Sequence, residues 1–131
     1  MKVTCRRLFV AVVLATIGLD SYAAGCDQAQ TQAEMNQCAA EALNQADSDL
    51  NATYLAYREK LNTQQKNQLR DVQLAWIKYR DLACKFDSVS STGGSLHSMA
   101  LQSCLAEKTR SRTLELNKLA NCAQGDSNCP H

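Results

Sequence analysis

Seven cysteines in a chain of 131 residues constrain its fold more than any other feature. Cys5 lies in a segment that reads as a leader. Beyond it stand Cys26, Cys38, Cys84, Cys104, Cys122 and Cys129, an even set. The leader has three zones. Lys2, Arg6 and Arg7 make a positive start, and Leu8 to Leu19 is an apolar run. Tyr22-Ala23-Ala24 then offers a small-residue cleavage site. The run is shorter than the roughly 20 apolar residues that a membrane span needs. The pattern predicts a signal peptide over residues 1–24, loss of Cys5 and no membrane span in the mature form. The destination is periplasmic or secreted, an oxidising space where the remaining thiols pair. Ala23-Ala24-Gly25-Cys26 competes as a weak lipobox. It lacks the bulky aliphatic residue three places before the cysteine, and lipid on Cys26 would leave an odd thiol.

Without Lys2, Arg6, Arg7 and Asp20 of the leader, the formal charge of +1 turns slightly negative. No basic stripe tracks phosphates, which excludes nucleic-acid binding by electrostatics. A chain of this size makes one domain with a modest core, to which disulfides add.

From Cys26 to Thr92 there is neither glycine nor proline, and no β-branched alternation appears. Both facts predict helix. Thr31 and Glu34 have the spacing of a capping box. After them Met35, Ala39, Ala42, Leu43, Ala46, Leu50, Tyr54, Tyr57 and Leu61 form one apolar stripe. Asn62-Thr63 is the expected turn, with Thr63 capping the second helix. That helix carries Leu69, Val72, Trp76, Tyr79, Ala83 and Phe86, alternating steps of three and four. This is near the 3.5-residue period of antiparallel helix packing. It is expected to end near Asp87, before a Ser/Thr/Gly loop from Ser88 to Ser95. The third helix should start near Ser95 as N-cap. It carries Leu101, Leu105, Leu116 and Leu119 and ends near Ala120. The expected fold is all-α: an antiparallel hairpin of two long helices with a third packed along it, stapled by disulfides. The helical domain spans residues 25–120, and a cysteine-containing tail covers 121–131.

Six cysteines admit many pairings, which position narrows. A Cys26–Cys38 bond would tie the leader end back onto the first helix. Cys84–Cys104 would close the glycine loop, and Cys122–Cys129 would pin the tail. No C-x-x-C motif occurs, and His97 stands apart from any pair of cysteines. Neither a redox site nor a metal site is therefore expected, nor any cofactor.

Asp47, Arg80, Thr109 and Arg112 interrupt or flank the apolar stripes. Buried charge is costly unless paired, so an interhelical pair is expected, Asp47 with Arg112 or Arg80. No Ser-His-Asp spacing, H-E-x-x-H motif or phosphate loop is present. No catalytic residue is assigned.

Several blocks stand together. They are Cys26; Thr31-Gln32-x-Glu34-Met35-Asn36-x-Cys38-Ala39; Ala46-Asp47-x-x-Leu50-Asn51-x-x-Tyr54; Gln73-x-Ala75-Trp76-x-x-Tyr79-Arg80-Asp81-x-x-Cys84; Gly93-Gly94-Ser95; and Cys104 with Thr109-x-x-Arg112. The combination resembles the lysozyme-inhibitor LprI-type domain family of exported bacterial proteins. The likeness runs from about Cys26 to Leu119, and the family's four cysteines fall on Cys26, Cys38, Cys84 and Cys104. It implies a small helical periplasmic or secreted protein that binds and inhibits lysozyme and is not an enzyme. A periplasmic adaptor or toxin-neutralising protein with another protein target is the alternative. The candidate binding loop is the glycine-bearing, hydroxyl-rich segment holding Ser91, Gly93, Gly94, Ser95, His97 and Ser98.

Overall fold

The structure, a computed structural model, describes residues 26–122 and 129. The expected signal peptide and its cleavage site lie outside the described residues, as does most of the tail. Among the described residues there are three α-helices: α1 (Gln32–Glu59), α2 (Thr63–Asp87) and α3 (His97–Ala120). A short 3-10 turn, Val89–Ser91, sits between α2 and α3. Among the described residues there is no strand.

Each helix start has a local cause. The Thr31 hydroxyl accepts from the Glu34 amide at 3.2 Å. Glu34 reaches back and accepts from the amides of Thr31 at 3.0 Å and Gln30 at 2.9 Å. Those donors, Thr31 first, hold the Glu34 carboxyl below the usual carboxylate range. The second helix is capped one residue earlier than the sequence suggests. Asn62, not Thr63, is extended there, accepts from the Gln65 amide at 3.0 Å and is itself bonded by Gln65 at 3.0 Å. Asn62→Ala should therefore cost about 1 kcal/mol, read as a lower urea midpoint at unchanged slope. The third helix starts at His97 behind Leu96, with no side-chain cap. Ser95 does not cap it. The backbone first completes two turns, Gly94 N to Ser91 O at 3.0 Å and His97 N to Gly94 O at 3.2 Å.

The helices run up, down and up. Gln32 at the start of α1 reaches Met99 at the start of α3, and Lys60 beyond the end of α1 donates to Ala120 O at 2.7 Å. Thus α1 and α3 lie parallel, and α2 returns antiparallel to both. The closest packing is between α1 and α3, while α2 leans on α3 and touches α1 more sparsely. Ala39, Ala46 and Ala106 are buried, and such small side chains let two helices approach. The core holds Leu50, Tyr57, Leu61, Leu69, Leu116 and Ala120, with Tyr54, Trp76 and Leu119 packed against it. Disulfides join Cys26 to Cys38, Cys84 to Cys104 and Cys122 to Cys129.

One helix face differs from expectation. The sequence points to Val72, Tyr79 and Phe86 as part of the buried seam of α2. They are 54%, 62% and 77% exposed. The buried set is instead Leu69, Gln73 and Cys84, with the Arg80 side chain only 13% exposed. Polar partners inside the bundle and the bond to Cys104 turn α2 by most of one residue's step about its axis.

Candidate functional site

The polar residues that break the stripes meet at the centre of the bundle. Arg80 Nη1 donates to Asp47 Oδ1 at 2.9 Å and to Thr109 Oγ1 at 2.9 Å, and its Nε donates to Asp81 Oδ1 at 2.9 Å. Arg112 is engaged separately, donating to Gln73 at 3.1 Å and to Glu115 at 2.8 Å. Of the two arginines open to Asp47, the structure places Arg80 beside it. The Trp76 ring lies 5.4 Å from the Arg80 guanidinium and 5.8 Å from that of Arg112. Each cation thus has an aromatic face and oxygen acceptors. This centre ties α2 to both neighbouring helices.

Burial ranks its members. The Asp47 side chain is 48% exposed, so its pair with Arg80 is screened by water. Asp47→Asn should cost less than about 1 kcal/mol, because Thr109 and Asp81 still hold the guanidinium. Thr109 is fully buried, and Thr109→Val removes an acceptor from a nearly buried cation. That change should cost about 2 kcal/mol. Melting temperatures of the two variants, side by side, check the order.

Because α2 touches α1 sparsely, a groove of about 390 Å³ opens between them, lined by Leu50, Tyr54, Leu74, Ile77, Asp47 and Arg80. It is an open furrow with the paired Arg80 at its edge. Among the described residues, no group of three or more His, Cys, Asp or Glu side chains is placed to hold a metal. Among the same residues, no helix is long and apolar enough to cross a membrane.

The α2–α3 connection is braced by several bonds. Its two roots are joined by the Cys84–Cys104 bond. Inside it the Ser91 hydroxyl lies 2.7 Å from Ser88 O and 3.2 Å from His97 Nδ1. Asn36 on α1 donates to Ser95 O at 3.3 Å. Gly93 takes φ +82°, the left-handed region that favours glycine. A Cβ on Gly94 would meet Ser91 O at 3.3 Å. The connection is thus short, internally bonded and clamped at both ends.

Its residues divide into brace and tip. Ser91 and His97 are partly buried and face each other, and Ser98 lies on α3 accepting from Gln102 at 2.7 Å. Thr92, Gly93, Gly94 and Ser95 are exposed. Val89 and Leu96, on either side of them, are also exposed. Sequence reasoning passed over both, although two large aliphatic residues in a Ser/Gly loop were a visible signal. It also passed over Asn36, whose role depends on a fold contact.

The chain belongs to the lysozyme inhibitor LprI family, whose pattern matches residues 23–116. It is also similar to an uncharacterised protein of Rhizobium meliloti (strain 1021), 34% identical over 112 residues. That match covers 76% of this chain and 81% of the relative. No solved structure matches.

Proposed function

We propose that this chain is exported to the periplasm or secreted, where it binds and inhibits lysozyme without being an enzyme itself. Family membership supports the target class, and disulfides joining six cysteines suit an oxidising space. The observation that carries the reading is the tip of Thr92, Gly93, Gly94 and Ser95, flanked by Val89 and Leu96, all exposed, with Cys84–Cys104 joining the two helices behind it. A retaining glycosidase presents two carboxyl groups about 5 Å apart in a cleft. Exposed hydroxyls of Thr92 and Ser95 are donors of the kind that carboxylates accept. Gly93 and Gly94 let the backbone approach, and Val89 and Leu96 supply apolar contact at the rim. A rigid tip loses little freedom on binding.

The test is an inhibition titration of the mature protein against lysozymes, with Leu96→Asp and Gly93→Pro beside it. Proline cannot adopt the φ of +82° at Gly93. Wild type should inhibit, and each variant, with disulfides and helicity intact, should lose about tenfold or more. Unchanged inhibition by folded variants moves the binding surface to a helix face. The adaptor or toxin-neutralising reading, with a different protein target, is favoured by the charge. A slightly negative surface steers a basic lysozyme weakly. No inhibition by wild type would select that reading.

A further inference from the structure

The turn of α2 leaves an apolar face that is largely exposed, with Lys108 of α3 lying 6.0 Å from the ring of Tyr79 at its middle. Val72, Ala75, Tyr79, Leu82 and Phe86 are all exposed on it. Two of its ends differ in shape. Phe86, 77% exposed, is a protruding ring. Beside Val72 lies an open recess of about 230 Å³, lined mainly by Tyr57, Leu61, Leu69, Val72 and Leu119, with Gln65, Gln68 and Arg112 at its polar edge. The knob and the hole stand seven residues on either side of Tyr79.

We propose that this face pairs with a second copy of the same chain, α2 against α2 in antiparallel orientation about a two-fold axis at Tyr79. An isologous contact requires a surface that complements itself, and this one does. In that register Phe86 of each copy falls opposite Val72 of the other, at the mouth of the recess. Tyr79 meets Tyr79 at the axis, and Leu82 lies against the step between Ala75 and Trp76.

Charge agrees with the register. Asp71 and Lys85 lie on one flank of the stripe, both exposed. A two-fold axis brings that flank against itself, so Asp71 of one copy comes within about half a turn of Lys85 of the other, as in antiparallel coiled coils. Asp71 is held only by its exposed neighbour Arg70 at 2.9 Å, so it is free to add a second cation. Lys78, nearest the axis on that flank, and Lys108, 6.0 Å from the Tyr79 ring, are like-charge approaches, and their long stems can turn the ammonium groups to water. The spacing of Val72, Tyr79 and Phe86 is the antiparallel packing period that the sequence displays and the monomer does not use.

Sedimentation equilibrium of the mature protein tests the pairing. Wild type should be a concentration-dependent dimer, and Phe86→Asp should weaken it by about thirtyfold or more. Leu114→Asp, at an exposed apolar residue on α3 away from the stripe, should leave it unchanged. Melting curves and non-reducing mass confirm that both variants are folded. Independently, Tyr79→Cys should form a disulfide-linked dimer under mild oxidation, and adding Phe86→Asp should abolish it. A monomeric wild type at all concentrations overturns the proposal. So does a dimer that survives Phe86→Asp, or one that Leu114→Asp disrupts equally.

Discussion

Replacing Cys84 and Cys104 together by alanine should lower stability by about 3 kcal/mol. The bond closes a ring with a sequence separation of 20, and the restriction it places on the unfolded chain grows with the logarithm of that length. Cys84 is also fully buried between α2 and α3. Its loss therefore loosens packing at the point where α2 leans on its neighbour. The comparison variant is Cys122→Ala with Cys129→Ala, which opens a separation of only 7 and should cost about 1 kcal/mol less. Urea unfolding of the two double variants gives both values. If the order is reversed, the glycine connection is not held by this bond. The same experiment bears on function, because amides of Thr92 to Leu96 should exchange faster without the clamp while those of α1 change little.

Much of the architecture is written in local chemistry. The Thr31–Glu34 box, the alanine-rich stripe of α1 and the absence of breakers from Cys26 to Thr92 are all readable because each depends on neighbours in sequence. The helical class follows from them. What failed was the choice of face on α2. Periodicity counts apolar side chains, and Gln73 and Arg80 are polar, so a stripe through Tyr79 and Phe86 scored better. The structure buries Gln73 because Arg112 bonds it, and buries most of Arg80 because Asp47 and Thr109 do. Those partners lie on other helices, and no window along one helix contains them. The same limit applies to the candidate site. Gly93, Gly94 and Ser95 announce a turn, but the pinning of Ser95 by Asn36 depends on α1 and α3 lying side by side.

Trp76→Ala should be the most damaging single change in α2, at about 3 kcal/mol. Trp76 packs against the core and its ring lies near both Arg80 and Arg112. Removing it takes away buried area and the aromatic face over two partly desolvated cations, each contact worth about 1 kcal/mol. The side chain is only partly buried, which places the expected cost at the lower end of values for tryptophan truncation. Trp76→Phe keeps a ring near both guanidiniums and should recover about two thirds of the loss. A double-mutant cycle with Arg112→Met should give a coupling above about 0.5 kcal/mol, since the two side chains touch. Because this is the only tryptophan, the variants are followed by far-ultraviolet circular dichroism rather than fluorescence. A change of less than about 1 kcal/mol in Trp76→Ala would make the ring a surface feature, available to a partner and dispensable to the fold. The expected large loss instead ties Trp76, Arg80 and Arg112 to one task, holding α2 at the angle that exposes Val72, Tyr79 and Phe86. On that account the polar centre matters to recognition indirectly. It decides which face of α2 the protein keeps for itself and which it shows to other molecules.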